Sequence, residues 1–134
     1  MNNTATHGTA LLRISLGIIY IAHSLYLKLV IFTLPGTAAF FESLGLPGIL
    51  AYATFAAEAI GGVALLIGYQ ARWAALALVP VALGATWAHS GAGWVFSNAG
   101  GGWEYPLFLA IATAVIALQG NGSLALQTGN TVTR

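Results

Sequence analysis

Four stretches of apolar residues alternate along the chain with shorter segments rich in glycine and proline. The apolar stretches cover residues 10–32, 49–68, 73–89 and 104–119. At 1.5 Å per residue, a helix of about 23 residues rises roughly 34 Å, and the hydrocarbon core of a bilayer is about 30 Å thick. The pattern therefore predicts four membrane-spanning helices.

The connecting segments are short and differ in character. Residues 33–48 read TLPGTAAFFESLGLPG and are predicted to form a short helix at the membrane interface. Residues 69–72 form a tight turn, and the glycine-rich segment 90–103 cannot hold a spanning helix. Short loops join antiparallel neighbours, so we predict an all-α, single-domain, antiparallel bundle between polar tails at 1–9 and 120–134.

Composition indicates where such a bundle resides. Only 5% of the 134 residues are charged and 58% are hydrophobic, whereas soluble domains carry about 25% charged residues. The chain is predicted to be an integral membrane protein in contact with lipids. Its net charge of +1 provides no basic patch for nucleic acid. Because the sequence has no cysteine, redox chemistry here requires a bound cofactor or a protein partner.

The basic residues predict an orientation. Four crossings place Arg13, Arg72 and Arg134 on one side of the membrane, and Lys28 lies toward the other. Positive residues favour the cytoplasmic side. We therefore expect both termini to be cytoplasmic and the segments 33–48 and 90–103 to face outward. Arg13 and Arg72 are interpreted as topology anchors.

Glu58 is the carboxylate in the otherwise apolar stretch 52–68. An ionised side chain at this depth costs roughly 2.5–3.5 kcal/mol on insertion scales, so it usually faces a partner rather than lipid. In an antiparallel bundle, His23, Lys28, His89 and Glu104 fall in the same half of the membrane as Glu58. We predict an outward-opening site with Glu58 as its floor and the segment 90–103 as its roof.

Several interpretations of these residues stay open. In an ordinary α-helix His23 lies about 140° from Lys28, so the two need not face one ligand. Lys28 either stabilises a developing anion or extends outward to the interface. Glu58 either belongs to a site or is protonated and bonds a neighbouring helix, and His23 is either functional or an ordinary core residue. His89 and Glu104 either belong to the site or are interfacial residues that pair across a loop.

Aromatic and metal-binding alternatives complete the predictions. Trp94, Trp103 and Tyr105 flank the expected mouth, where they either contact a cofactor or anchor the interface. His23 and His89 could in principle ligate a heme, although their depths differ. No histidine or carboxylate spacing is diagnostic of a metal, and no metal site is predicted.

The ordered set of motifs resembles the DoxX family. Residues 11–29, LLRISLGIIYIAHSLYLKL, are similar to its first helix, and residues 56–72, AAEAIGGVALLIGYQAR, to its second helix and basic turn. His89 before a glycine-rich loop, WEYPLFL at 103–109 and GNGSLAL at 120–126 continue the resemblance. Ser24 stands where the family has a glycine. The residues that match the family's polar pattern are Arg13, His23, Lys28, Glu58, Arg72, His89 and Glu104.

The resemblance implies a small four-helix protein of the bacterial inner membrane with an oxidoreductase-like role. A related family supplies a membrane subunit of thiosulfate:quinone oxidoreductase. The leading hypothesis is a redox subunit that binds a quinone, with His23, Glu58, His89 and Glu104 handling protons and with a protein partner or a second copy of the chain. The alternatives are a non-catalytic membrane scaffold and an oligomeric transporter of a small solute.

Overall fold

The computed structural model describes residues 3–99 and 101–126, which are mostly helical and contain no strand. Helix α1 spans Asn3–Ile21 and continues without a break as a π-helical segment, Ala22–Ile31. The remaining helices are α2 (Leu34–Ser43), α3 (Ile49–Ile67), α4 (Ala71–Ala88) and α5 (Glu104–Gln119). A single 3₁₀ turn, Ser90–Ala92, follows α4.

The long helices pack around one core. Helix α1 lies against α3 and α5, and α4 lies against the same two helices. Helices α1 and α3 are antiparallel, since Arg13 contacts Leu65 near one end and Lys28 pairs with Glu58 toward the other. The short helix α2 packs against α3 and the π segment. The predicted all-α class is confirmed.

In the described part of the chain, three helices are long and apolar enough to cross a membrane: Asn3–Ile31, Ile49–Ile67 and Ala71–Ala92. Helix α5 is apolar but has only 16 residues. Its rise of about 24 Å is shorter than a hydrocarbon core of roughly 30 Å. The membrane character of the chain agrees with the prediction, while the fourth crossing stays a prediction.

The first helix begins earlier than its predicted start at residue 10. Residues 3–9 are polar, but their hydroxyl groups have partners. Thr6 Oγ1 donates to the Asn3 carbonyl, and Thr9 Oγ1 lies 2.7 Å from Gln119 Oε1 at the end of α5. This turn of helix therefore packs against the C-terminal segment instead of forming the predicted tail.

Arg13 connects three parts of the chain. Its side chain is fully buried. The guanidinium donates to the carbonyls of Leu65 and Leu66 at the end of α3, at 2.7 and 3.1 Å. It also donates to three carbonyls in the segment after α5, those of Asn121, Ser123 and Leu124. Carbonyls at a helix C-terminus carry partial negative charge, so they stabilise the buried cation.

These contacts bear on two expectations. Arg13 is fully buried because the ends of α3 and α5 enclose it, and its role as a topology anchor stays a prediction. Residues 120–126 of the predicted tail are folded over the same end, where the Asn121 side chain accepts a hydrogen bond from the Ala71 nitrogen. Arg134 and the remainder of the predicted tail lie outside the described residues.

Helices α1 and α3 approach each other most closely at two glycines. A Cβ atom on Gly17 would lie 2.7 Å from the Leu66 nitrogen and 2.9 Å from the Gly62 oxygen. Small residues allow such backbone contact between membrane helices. On another side of α3, Gly61 lies against Leu78 of α4.

The Arg13 contacts predict a stability difference between two arginines. We expect Arg13→Lys to lower the free energy of unfolding by about 3 kcal/mol, because one ammonium cannot replace a fork that reaches five carbonyls. Arg72 is exposed and donates to Ala117 and Leu118. Arg72→Lys should cost only about 0.5 kcal/mol. Reversible unfolding in bicelles measures both, and equal costs would contradict the structural role of Arg13.

Candidate functional site

A cavity of about 1110 Å³ opens between the π segment, α2, α3 and α4. Four residues predicted for the site line it together: His23, Lys28, Glu58 and His89. They come from three different helices that are far apart in sequence. The rest of the lining is mostly apolar, with aromatic and aliphatic side chains from α2 and small residues from α3 and α4.

The π segment explains how His23 and Lys28 reach the same cavity. In a π-helix each amide bonds to the carbonyl five residues earlier, as the Phe32 nitrogen does with the Leu27 oxygen at 2.7 Å. Residues five positions apart, such as His23 and Lys28, therefore lie about one turn apart on the same side of the helix. The expected angle of 140° between His23 and Lys28 is wrong because it assumes an α-helix. π-helical turns are rare in proteins, and those that occur are often found at functional sites.

Lys28 and Glu58 form an ion pair between the π segment and α3. The Lys28 Nζ lies 2.8 Å from Glu58 Oε1, and the two side chains are 16% and 8% exposed. Among the described residues this oxygen has no hydrogen-bond partner, so its contact with Lys28 is a charge–charge contact. Each charge is therefore balanced chiefly by the other. The pairing directs Lys28 inward rather than toward the interface.

His23 is held in a defined orientation beside this pair. Its Nδ1 lies 2.9 Å from the Ile19 carbonyl oxygen. Its ring stacks on Tyr105 of α5, with ring centroids 6.5 Å apart and an angle of 16° between the planes. Since a carbonyl only accepts, Nδ1 carries a proton. In the neutral ring the opposite nitrogen, Nε2, is then an acceptor.

Helix α2 forms the outer wall of the cavity. Phe40, Phe41 and Leu44 contribute apolar surface, and Thr37 lies buried in the same wall. The prediction that the segment 90–103 forms the roof is wrong, because the 16-residue connection through α2 folds back over the π segment instead. The sequence signal for this wall was present in the apolar spacing of residues 38, 41 and 44.

The wall contributed by α4 is built from small residues. Gly84, Ala85 and Ala88 leave room beside Pro80, so no bulky side chain fills the space. At the edge of the cavity, Phe32 and Trp87 are each more than half exposed. The cavity is therefore open at an apolar rim.

Glu104 does not join the other polar residues. Its Oε2 accepts a hydrogen bond from the Phe96 nitrogen at 2.9 Å, so it closes the glycine-rich loop. With Trp94 and Tyr105 it lines a separate, shallow groove. Trp94 packs edge to face against Trp103 at 4.5 Å. The expected convergence of Glu104 and the tryptophans with Glu58 is wrong, whereas Tyr105 contacts the site through its stack on His23.

Metal ligation has little support in the described part of the chain. Within residues 3–99 and 101–126, no three histidine, cysteine or acidic side chains are grouped closely enough to hold a metal ion.

The ion pair predicts strong coupling between its members. We expect Glu58→Gln and Lys28→Met each to lower the free energy of unfolding by about 3 kcal/mol, because each leaves a buried charge without its partner. The double variant should cost markedly less than the sum. Unfolding in bicelles provides the four values of the cycle, and additive costs would show that the two charges do not interact.

Comparisons with known proteins identify the family. The DoxX family model matches residues 8–91, from α1 to the turn after α4. A Bacillus subtilis (strain 168) protein named "Putative oxidoreductase CatD" is 33% identical over 126 residues, which cover 94% of this chain and 89% of that protein. No solved structure matches the chain significantly. The two sequence matches agree with the resemblance of the polar pattern, and the chain belongs to the DoxX family.

Proposed function

We propose that this protein is a membrane subunit of a redox system that binds a quinone, or a similar lipophilic electron carrier, in the cavity of the π segment. One observation carries the proposal: a largely buried ion pair, Lys28–Glu58, lies in a mostly apolar cavity that opens at an apolar rim. The name of the Bacillus subtilis relative, which describes an oxidoreductase, supports a redox role.

The cavity suits a long molecule with one polar end. Small-molecule pockets typically enclose about 300–1000 Å³ and combine apolar walls with a few polar groups. This cavity is about 1110 Å³, and its polar side chains come mainly from His23, Lys28, Glu58 and His89. A quinone head would lie beside these groups. Its hydrocarbon tail would follow the side chains of α2 toward the rim.

The polar residues have complementary chemical roles. When bound, a quinone supplies reversible two-electron chemistry coupled to protons. The Lys28 ammonium can donate to a carrier oxygen and stabilise negative charge on it. His23, Glu58 and His89 also line the cavity and can accept or return protons there. The sequence has no cysteine, so electrons must reach the carrier from a protein partner or another bound cofactor.

The placement in the membrane extends the same proposal. Four helices, α1, α3, α4 and α5, cross the inner membrane of a bacterium, and α2 lies at the interface. Arg13 and Arg72 lie near the ends of α3 and α5, opposite the half that holds the cavity. The preference of positive residues for the cytoplasm then places both termini inside and the cavity in the outer half.

Binding of decylubiquinone to the purified chain in mild detergent tests the proposal. We expect saturable binding at one site per chain, measured by calorimetry against protein-free micelles. Glu58→Gln and His89→Ala should each weaken the affinity about tenfold, because each removes a polar partner of the head group. Glu42→Gln is the matched control, since Glu42 is exposed on α2 and does not line the cavity.

Other outcomes would favour the alternative functions. Unchanged affinity in both cavity variants would contradict a quinone site in this cavity. Absence of binding by the wild-type chain, together with loss of a copurifying protein in Glu58→Gln, would indicate a scaffold. Uptake of a small solute by proteoliposomes that contain only this chain would indicate a transporter.

A further inference from the structure

We infer that the cavity binds the reduced, hydroxyl-bearing form of its carrier more tightly than the oxidised form, with His23 Nε2 as an acceptor for a carrier hydroxyl. The inference rests on the proposed function and adds to it the redox state that the site prefers. It follows from a count of donors and acceptors at the polar end of the cavity. A reduced carrier presents hydroxyl donors, whereas an oxidised carrier presents carbonyl acceptors.

His23 supplies the first acceptor. Its Nδ1 donates to the Ile19 carbonyl of its own helix at 2.9 Å. Nε2 lies on the opposite edge of the imidazole and therefore points away from that backbone. The stack on Tyr105 covers the ring and limits its rotation. A neutral imidazole held in this way offers a lone pair, and no N–H, to a ligand in the cavity.

The ion pair supplies a second acceptor, and its donors serve both forms of the carrier. The Lys28 ammonium lies 2.8 Å from Glu58 Oε1, and that oxygen has no hydrogen-bond partner among the described residues. A carboxylate has several lone-pair sites, so it can receive a ligand hydroxyl while it stays paired with the ammonium. The ammonium has three N–H groups, so it can donate to a carbonyl or to a hydroxyl oxygen without leaving Glu58.

The remaining polar groups do not reverse this balance. The Thr37 hydroxyl donates its hydrogen to the Thr33 carbonyl at 2.8 Å, so it offers only lone pairs to the cavity. Thr54 and His89 also line the cavity. Each can donate or accept, so neither distinguishes the two forms. The donors of the cavity therefore serve both forms, whereas the acceptors on His23, Glu58 and Thr37 serve only a carrier that bears hydroxyl groups.

A preference for the reduced form has a measurable electrochemical consequence. One additional hydrogen bond to the reduced carrier corresponds to about a tenfold difference in affinity. A tenfold preference raises the midpoint potential of a bound two-electron couple by about 30 mV relative to the free carrier. The site would thus favour retention of the carrier after it has accepted electrons.

The test compares two forms of one probe. Decylubiquinol and decylubiquinone are titrated anaerobically into the purified full-length chain in detergent, and protein-free micelles correct for partition. We expect the quinol to bind about tenfold more tightly than the quinone. If the quinone binds at least as tightly as the quinol, the inference is overturned while the proposed function stands. If neither form binds, both are overturned.

Variants of His23 identify the acceptor. His23→Asn keeps an N–H near the position of Nδ1 but removes Nε2, and His23→Phe keeps the aromatic stack on Tyr105. In both, quinol affinity should fall about tenfold and quinone affinity less than twofold, so the ratio approaches one. His7→Asn, at an exposed position on α1, is the control. A ratio that stays at the wild-type value in either folded variant would overturn the role of His23.

Discussion

A charged side chain inside an apolar helix requires compensation, and this protein meets that requirement differently in its two halves. In one half, backbone carbonyls at the C-terminal end of α3 and in the segment after α5 surround the Arg13 guanidinium. In the other half, Lys28 and Glu58 compensate each other across the space between the π segment and α3. Since side chains and not backbone carbonyls balance the charges of Lys28 and Glu58, the surrounding helices need not pack closely against this pair.

The open half depends on three local departures from a regular helix bundle. The π segment turns His23 and Lys28 to one side of the first helix. Thr33, at a φ of 64°, then reverses the chain so that α2 covers this side. Small residues of α4 line the opposite side of the cavity and leave space there. Together these features enclose an apolar volume with its polar groups gathered from separate helices, which is the arrangement expected of a pocket for a lipophilic molecule.

Much of this arrangement could be predicted from residue patterns alone. The apolar stretches located the bounds of α3 and α5 within about one residue, and the isolated carboxylate at 58 lines the cavity. The π geometry could not be predicted, because periodicity arguments assume 3.6 residues per turn. The burial of Arg13 also could not, since its acceptors are carbonyls that carry no sequence signal. Glu104 was misplaced because depth in the membrane does not specify which side of a helix faces the core.

Photoaffinity labelling with an azido-quinone, followed by mass spectrometry of the peptides, tests the central claim most directly: that the cavity around Lys28 and Glu58 is where the carrier binds. The account predicts labels in the π segment, Ala22–Ile31, and in α2, Leu34–Ser43, which excess decylubiquinone suppresses. Labels concentrated in the shallow groove of Trp94, Phe96 and Phe108, or spread over all lipid-facing helices without competition, would contradict it.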